Sequence, residues 1–222
     1  MAIIYSGTND SWIRKLDGSS WANARGSATT SGDLYRNNST NFQLAVASRE
    51  MSARGGGTSI FNVRSYFPFD LSGESGTATS VTLTIVSDNL GTAADEEGTV
   101  FIINSTALAD SVADYGNVFS SGTTIGTVLG LIVVSTTEQP HSCTLNAAGL
   151  TAVNSAIGSG TLTIGCMGYY DFNNSAPSLG GDYVQISKHF SNNTGTVKDP
   201  YLDITYGAAA ATDNATFFGC NF

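Results

Sequence analysis

Ile60-Phe61-Asn62-Val63-Arg64-Ser65-Tyr66-Phe67-Pro68-Phe69-Asp70 is the stretch that decides the fold. Phe61, Val63, Ser65, Phe67 and Phe69 fall on one face of an extended chain, and Asn62, Arg64, Tyr66 and Pro68 fall on the other. A period of two marks a half-buried β-strand, because successive side chains point to opposite faces of a sheet. Three aromatic rings on one face bury a large area when a second sheet covers them. The stretch is expected to be the central strand of a β-sandwich.

Similar short runs flank it on both sides. Residues 2–5, 11–16, 42–47, 81–86, 100–103, 127–134, 142–145, 161–169, 183–187 and 201–206 each read as a strand, by alternation or by a compact apolar run. Segments 21–32, 71–79 and 88–98 read as turn-rich loops. The run Gly55-Gly56-Gly57 leads into a strand and lacks the Gly-Lys-Ser/Thr ending of a phosphate loop, so it reads as a turn. Leu150, Val153 and Ile157 recur at helical spacing before Gly158 and Gly160, which predicts one short helix. Leu108, Val112 and Tyr115 suggest a second helix or an irregular crossing segment. Many short strands, glycine-rich turns and little helix predict an all-β jelly-roll sandwich over residues 1–207. The composition shifts after Gly207, and residues 208–222 read as an Ala-rich, aromatic C-terminal tail.

The composition narrows the partners. Hydrophobic residues make up 41% of the 222, enough for a core, whereas charged residues are only 12%, about half the usual share. The exterior must then be largely Ser, Thr, Asn and Gly. With a net charge of −9 and 9 Lys and Arg in all, the chain lacks the clustered cations that polyanions require, so neither nucleic acid nor an anionic membrane is an expected partner. Cys143, Cys166 and Cys220 are too few for a disulfide framework and lack metal-knuckle spacing; the first two read as small buried hydrophobes. Met1-Ala2-Ile3-Ile4-Tyr5 has no basic start or long apolar core, so no signal peptide is expected and release would follow another route, such as cell lysis.

Four segments carry a family resemblance: Tyr66-Phe67-Pro68-Phe69-Asp70-Leu71, Ala78-Thr79-Ser80-Val81-Thr82-Leu83-Thr84-Ile85, Leu145-Asn146-Ala147-Ala148-Gly149-Leu150 and Pro200-Tyr201-Leu202-Asp203-Ile204-Thr205-Tyr206. In this order they resemble the jelly-roll domains of DNRLRE-type and related carbohydrate-binding-module-like proteins. The run Ser20-Trp21-Ala22-Asn23-Ala24-Arg25 is similar to one in versions found among tailed-phage virion proteins. The resemblance spans residues 1–207 and excludes the tail. It implies the fold, and a virion location.

Catalysis is not expected. His141 and His189 sit in no nucleophile motif, and Asp88, Asp95, Glu96 and Glu97 share one loop, where like charges are usually just solvated. Calcium takes several loop oxygens. The weak candidates for a structural ion are Asp95, Glu96 and Glu97, followed by Asp171 and Asp182, but with no EF-hand spacing the reading without a metal or other cofactor is preferred. A sugar platform needs an exposed ring beside polar donors. Tyr169, Tyr170, Phe172, Asn173 and Asn174 fit that description where a strand runs into a polar loop, with Trp12 and Trp21 as lesser candidates; the competing reading puts these rings in the core or between subunits. Phe217, Phe218 and Phe222 are expected to dock the tail onto another chain. Together these point to a non-enzymatic phage structural protein. It would be a capsid decoration or a head or tail appendage, a homo-oligomer in contact with the major capsid protein. The alternative is a carbohydrate-binding adhesin for host surface glycans.

Overall fold

The computed structural model describes residues 1–18, 20–36, 43–53, 56–92, 98–134, 139–178, 184–188 and 198–208. At its centre β5 (Gly57–Asp70) pairs antiparallel with three strands. β4 (Gln43–Ala53) runs along its first half, β2 (Ser11–Asp17) along the opposite edge, and β12 (Thr161–Gly168) along its second half. Beyond β12 come β7 (Thr99–Ser105) and β10 (Val128–Val133), and beyond β4 comes β13 (Val184–Lys188). β3 (Leu34–Arg36) pairs with the outer edge of β2.

The second sheet has the order β1 (Ala2–Tyr5), β14 (Tyr201–Tyr206), β6 (Ala78–Thr92) and β11 (Pro140–Thr144). β6 serves both sheets: its first part pairs with β14 and β11, and residues 87–92 pair with β13. Every pairing is antiparallel and the strand order does not close into a barrel. The molecule is an all-β sandwich, as the alternation in 60–70 requires.

The principal core forms where the expected apolar face of β5 meets the second sheet. Phe61, Val63, Phe67 and Phe69 from β5 and Leu162 and Ile164 from β12 pack with Val81, Leu83 and Ile85 from β6 and Leu202 and Ile204 from β14. Each of these large side chains contributes about 1.5–3 kcal/mol on full burial.

The other face of β5 was expected to be solvated, but it is buried too. Tyr66 joins Ile13, Ile103, Tyr115, Val118, Phe119 and Met167 in a second core. Short elements cover this face: α1 (Trp21–Arg25), a 3-10 helix (Val112–Val118), the hairpin of β8 (Phe119–Ser121) with β9 (Thr124–Ile125), and α3 (Tyr169–Asn173). Gly165 lets this layer approach, since a Cβ there would lie 2.7 Å from Val118 Cγ1.

With α2 (Ala147–Ala156), the described residues hold three α-helices and a 3-10 helix, against one or two helices expected. The predicted helix at 150–157 is α2, capped by Asn146, whose side chain accepts from the Gly149 N–H at 3.0 Å. α1 falls in a segment read as a loop, and α3 where a strand was to meet a loop. Five residues are too few to reveal a 3.6-residue period. β6 also continues to Thr92, past the expected loop start at residue 88.

Candidate functional site

The most tightly organised polar group in the described residues lies inside the second core. Arg64 projects from the centre of β5 and Asp171 from α3, and both side chains are fully buried. Arg64 Nε donates to Asp171 Oδ2 at 2.6 Å and Nη2 to Oδ1 at 2.8 Å, a bidentate pair. Nη2 also donates to the Arg25 carbonyl at 2.7 Å, and Nη1 to the Tyr115 carbonyl at 2.8 Å. The guanidinium carbon lies 4.1 Å from the Tyr115 ring centroid and 4.7 Å from that of Phe119.

Further hydrogen bonds extend the network to Arg25, Tyr66, Asn62 and Ser48. Arg25 Nε donates to the Asp171 carbonyl at 2.7 Å. Tyr66 Oη donates to the Tyr115 carbonyl at 2.9 Å, and Tyr115 Oη to the Ala24 carbonyl at 2.5 Å. Asn62 Nδ2 donates to Tyr115 Oη at 2.9 Å, and Ser48 Oγ donates to Asn62 Oδ1 at 2.7 Å.

Burial alone would lower the pKa of Arg64, but the facing Asp171 carboxylate raises it above the usual arginine value. Burial lowers that of Arg25, offset in part by Asp171. It raises both buried phenols, Tyr66 and Tyr115, which therefore remain hydrogen-bond donors. This network ties β5, α1, the 3-10 helix and α3 together without reaching solvent.

The 169–174 segment behaves differently from an exposed platform. Tyr170, at 7% exposure, belongs to the principal core, and Tyr169 is half-buried against it. Phe172 stacks on Phe101 at 3.7 Å between centroids, against the second core. Asn173 and Asn174 are exposed and end α3: Asn173 Nδ2 donates to the Tyr169 carbonyl at 3.0 Å, and Asn174 takes the left-handed conformation at φ +53°. Asp171 is the reason for this inward turn, because helix formation after Gly168 directs its carboxylate to Arg64. Each of its two oxygens accepts from the guanidinium. Trp12 is buried and Trp21 half-buried against the principal core.

Asp95, Glu96, Glu97, Asp182, His189, Cys220 and the tail rings Phe217, Phe218 and Phe222 lie outside the described residues. Cys166 is buried in the core, as expected. Cys143 is half-buried, and burial pushes its thiol up to about 11, so it stays protonated at neutral pH.

Asp199, just before β14, is buried and its Oδ1 has no hydrogen-bond partner. Burial, and after it the like charge of Asp10, push its carboxyl up to about 6. An unfolded aspartate titrates near ~3.9, so the native state holds this proton more tightly than the unfolded chain. Its stabilising contribution is complete below about pH 4 and is lost as the pH rises through about 6. Asp199→Asn is expected to raise the Tm at about pH 8 and to leave it near wild type at about pH 4. Thermal melts at both values decide this; an equal shift at both would exclude the titration.

Two surface features remain. The terminal strands of the path, β1 and β10, turn apolar residues outward: Ile3 is 52% and Tyr5 39% exposed, Leu131 50% and Val133 58%. Separately, a groove of about 600 Å³ runs between one flank of α2 and strands β7 and β12. Among the described residues, none that lines it is charged and half carry a hydroxyl.

No protein-family model matches the chain, and no curated protein matches it in sequence.

Proposed function

We propose that this chain is a non-enzymatic structural protein of a phage particle, a capsid decoration protein or a small head or tail appendage. The observation that carries this reading is the pair of terminal strands. Unpaired strand edges invite pairing with another chain, and proteins that stay apart protect them with charges, proline or bulges. Among the described residues β1, Ala2-Ile3-Ile4-Tyr5, pairs along one edge only. β10, Val128-Leu129-Gly130-Leu131-Ile132-Val133, has a bulge between Val128 and Gly130 and gives its first two carbonyls to Asn146, which leaves Leu131 to Val133 as its open part. Neither strand has a charged residue. A surface like this suits permanent seating against neighbouring subunits, with the hydroxyl-rich remainder facing water. The phenylalanines at 217, 218 and 222 supply a third contact. The partners are the major capsid protein and further copies of this chain, in the virion.

Quantitative mass spectrometry of purified particles against the major capsid protein tests the reading. Hundreds of copies define a decoration protein and a handful an appendage; none would overturn the reading.

A second reading, a carbohydrate-binding adhesin for host surface glycans, is favoured by the uncharged groove beside α2. Both roles are compatible in one molecule, because many weak sites on a particle bind with high avidity.

A further inference from the structure

We propose that residues 209–222 pair with the outer edge of β1 in the free chain and yield that edge to a neighbouring subunit on assembly; this rests on the particle reading and gives the control of its β1 contact. Two hydrogen bonds fix which backbone groups face the edge. Ser6 N–H donates to the Pro200 carbonyl at 2.9 Å, on the β14 side, and Gly7 N–H donates to the Pro68 carbonyl of β5 at 2.7 Å. Backbone groups alternate in direction along an antiparallel strand, so Ile4 faces β14 as Ser6 does. Ile3 and Tyr5 then turn their N–H and C=O groups to the side that β5 takes up at Gly7. Among the described residues no strand pairs with β1 on that side. The side chains of Ile3 and Tyr5 are exposed, and no charge or proline in β1 guards the edge against stray pairing.

The chain itself supplies a cover. Ala2 lies opposite Ile204, so β14 ends beside the start of β1, and Gly207 N–H donates to the Thr77 carbonyl at 2.9 Å as the chain leaves the sheet. The open edge is two strand spacings from β14, about 10 Å. Residues 209–217 reach about 30 Å when extended, which is ample. A segment that crosses there and turns back runs antiparallel to β14 and parallel to β1. Thr216-Phe217-Phe218-Gly219-Cys220-Asn221-Phe222 alternates as such a strand requires, with Phe218, Cys220 and Phe222 on one face and Phe217, Gly219 and Asn221 on the other. Phe218 beside Ile3 and Cys220 beside Tyr5 bring apolar groups over the exposed pair. Tethering favours this occupant in the free chain, because a linker that spans the gap holds the segment at about millimolar local concentration. A neighbouring subunit with a strand and a larger complementary surface replaces it, strand for strand.

The test is amide hydrogen exchange, read by NMR on the ¹⁵N-labelled 222-residue chain and on a variant lacking residues 209–222. The expected result is slow exchange at Ile3 and Tyr5 in the whole chain, accelerated at least about tenfold by the deletion, with Ile4 and Ser6 little changed because they face β14. Phe218→Asp combined with Phe222→Asp in the whole chain is expected to act in the same way, and serves if the shortened chain folds poorly. Light scattering is expected to show the shortened chain associating with rising concentration. Ile3→Pro, which removes an outward N–H and no bond to β14, is expected to return it to a monomer. Free exchange at Ile3 and Tyr5 in the whole chain would overturn the cover and leave the open edge that the particle reading uses. Protection that falls on dilution, together with a dimer in light scattering, would also overturn it, since a second copy would then be the occupant. A shortened chain that stays monomeric with its edge bared would overturn the hand-over to further copies.

Discussion

Arg64→Ala lowers the unfolding free energy by about 3–5 kcal/mol, because it leaves Asp171 charged and fully buried with its bidentate partner gone. The same substitution frees the carbonyls of Arg25 and Tyr115 from their shared donor and removes the cation from between two aromatic rings. The loss extends beyond one pair, since α1, the 3-10 helix and α3 meet at that guanidinium. Chemical denaturation followed by tryptophan fluorescence and far-UV circular dichroism measures it. Arg64→Met combined with Asp171→Leu is expected to recover only part of the loss, because it no longer strands the carboxylate but leaves the buried Arg25 without its anionic neighbour. A single-variant cost below about 1 kcal/mol would mean that water reaches the site and that the pair does not anchor this layer.

Phe67→Ala costs about 3–5 kcal/mol, through lost transfer energy and through the cavity left between two sheets. Phe67 is fully buried in the principal core, opposite Ile164 in the register of β5 and β12. Strands on both edges of β5 and a sheet across the core leave little freedom for collapse into the gap. Phe67→Leu is expected to cost distinctly less. Equal costs for the two would point to a loss of aromatic contacts and not of volume.

The sandwich was legible because alternation reports directly on a pleated, layered architecture, and 60–70 alternates over its whole length. The same pattern misled about burial. Asn62, Arg64 and Tyr66 read as a solvated face, yet all three are buried under elements drawn from 20–26, 112–125 and 169–174. Polarity at alternate positions does not distinguish water from a buried network. A charged residue at the midpoint of an aromatic strand is the one available sign, and its partner is more than a hundred residues away. The burial of Tyr170 and Asp171 within 169–174 was hidden for the same reason. Its asparagines terminate a helix, and Asp171 turns inward because Arg64 is there to receive it. The groove left even less trace in sequence, because Ser and Thr are abundant throughout and only the packing of α2 against β10 and β12 brings a set of them together.

The pairing of β1 with β14 carries a consequence for synthesis. Ala2 sits opposite Ile204, so β1 finds its neighbour about two hundred residues further along the chain. At about 5–20 residues per second, β1 waits some ~10–40 s for β14 to leave the ribosome. During that interval an uncharged strand with both backbone edges unsatisfied is open to strangers, and closing so long a loop is slow in itself. Nascent-chain yield should then depend on temperature and on chaperone supply more steeply than the stability of the finished sandwich would suggest.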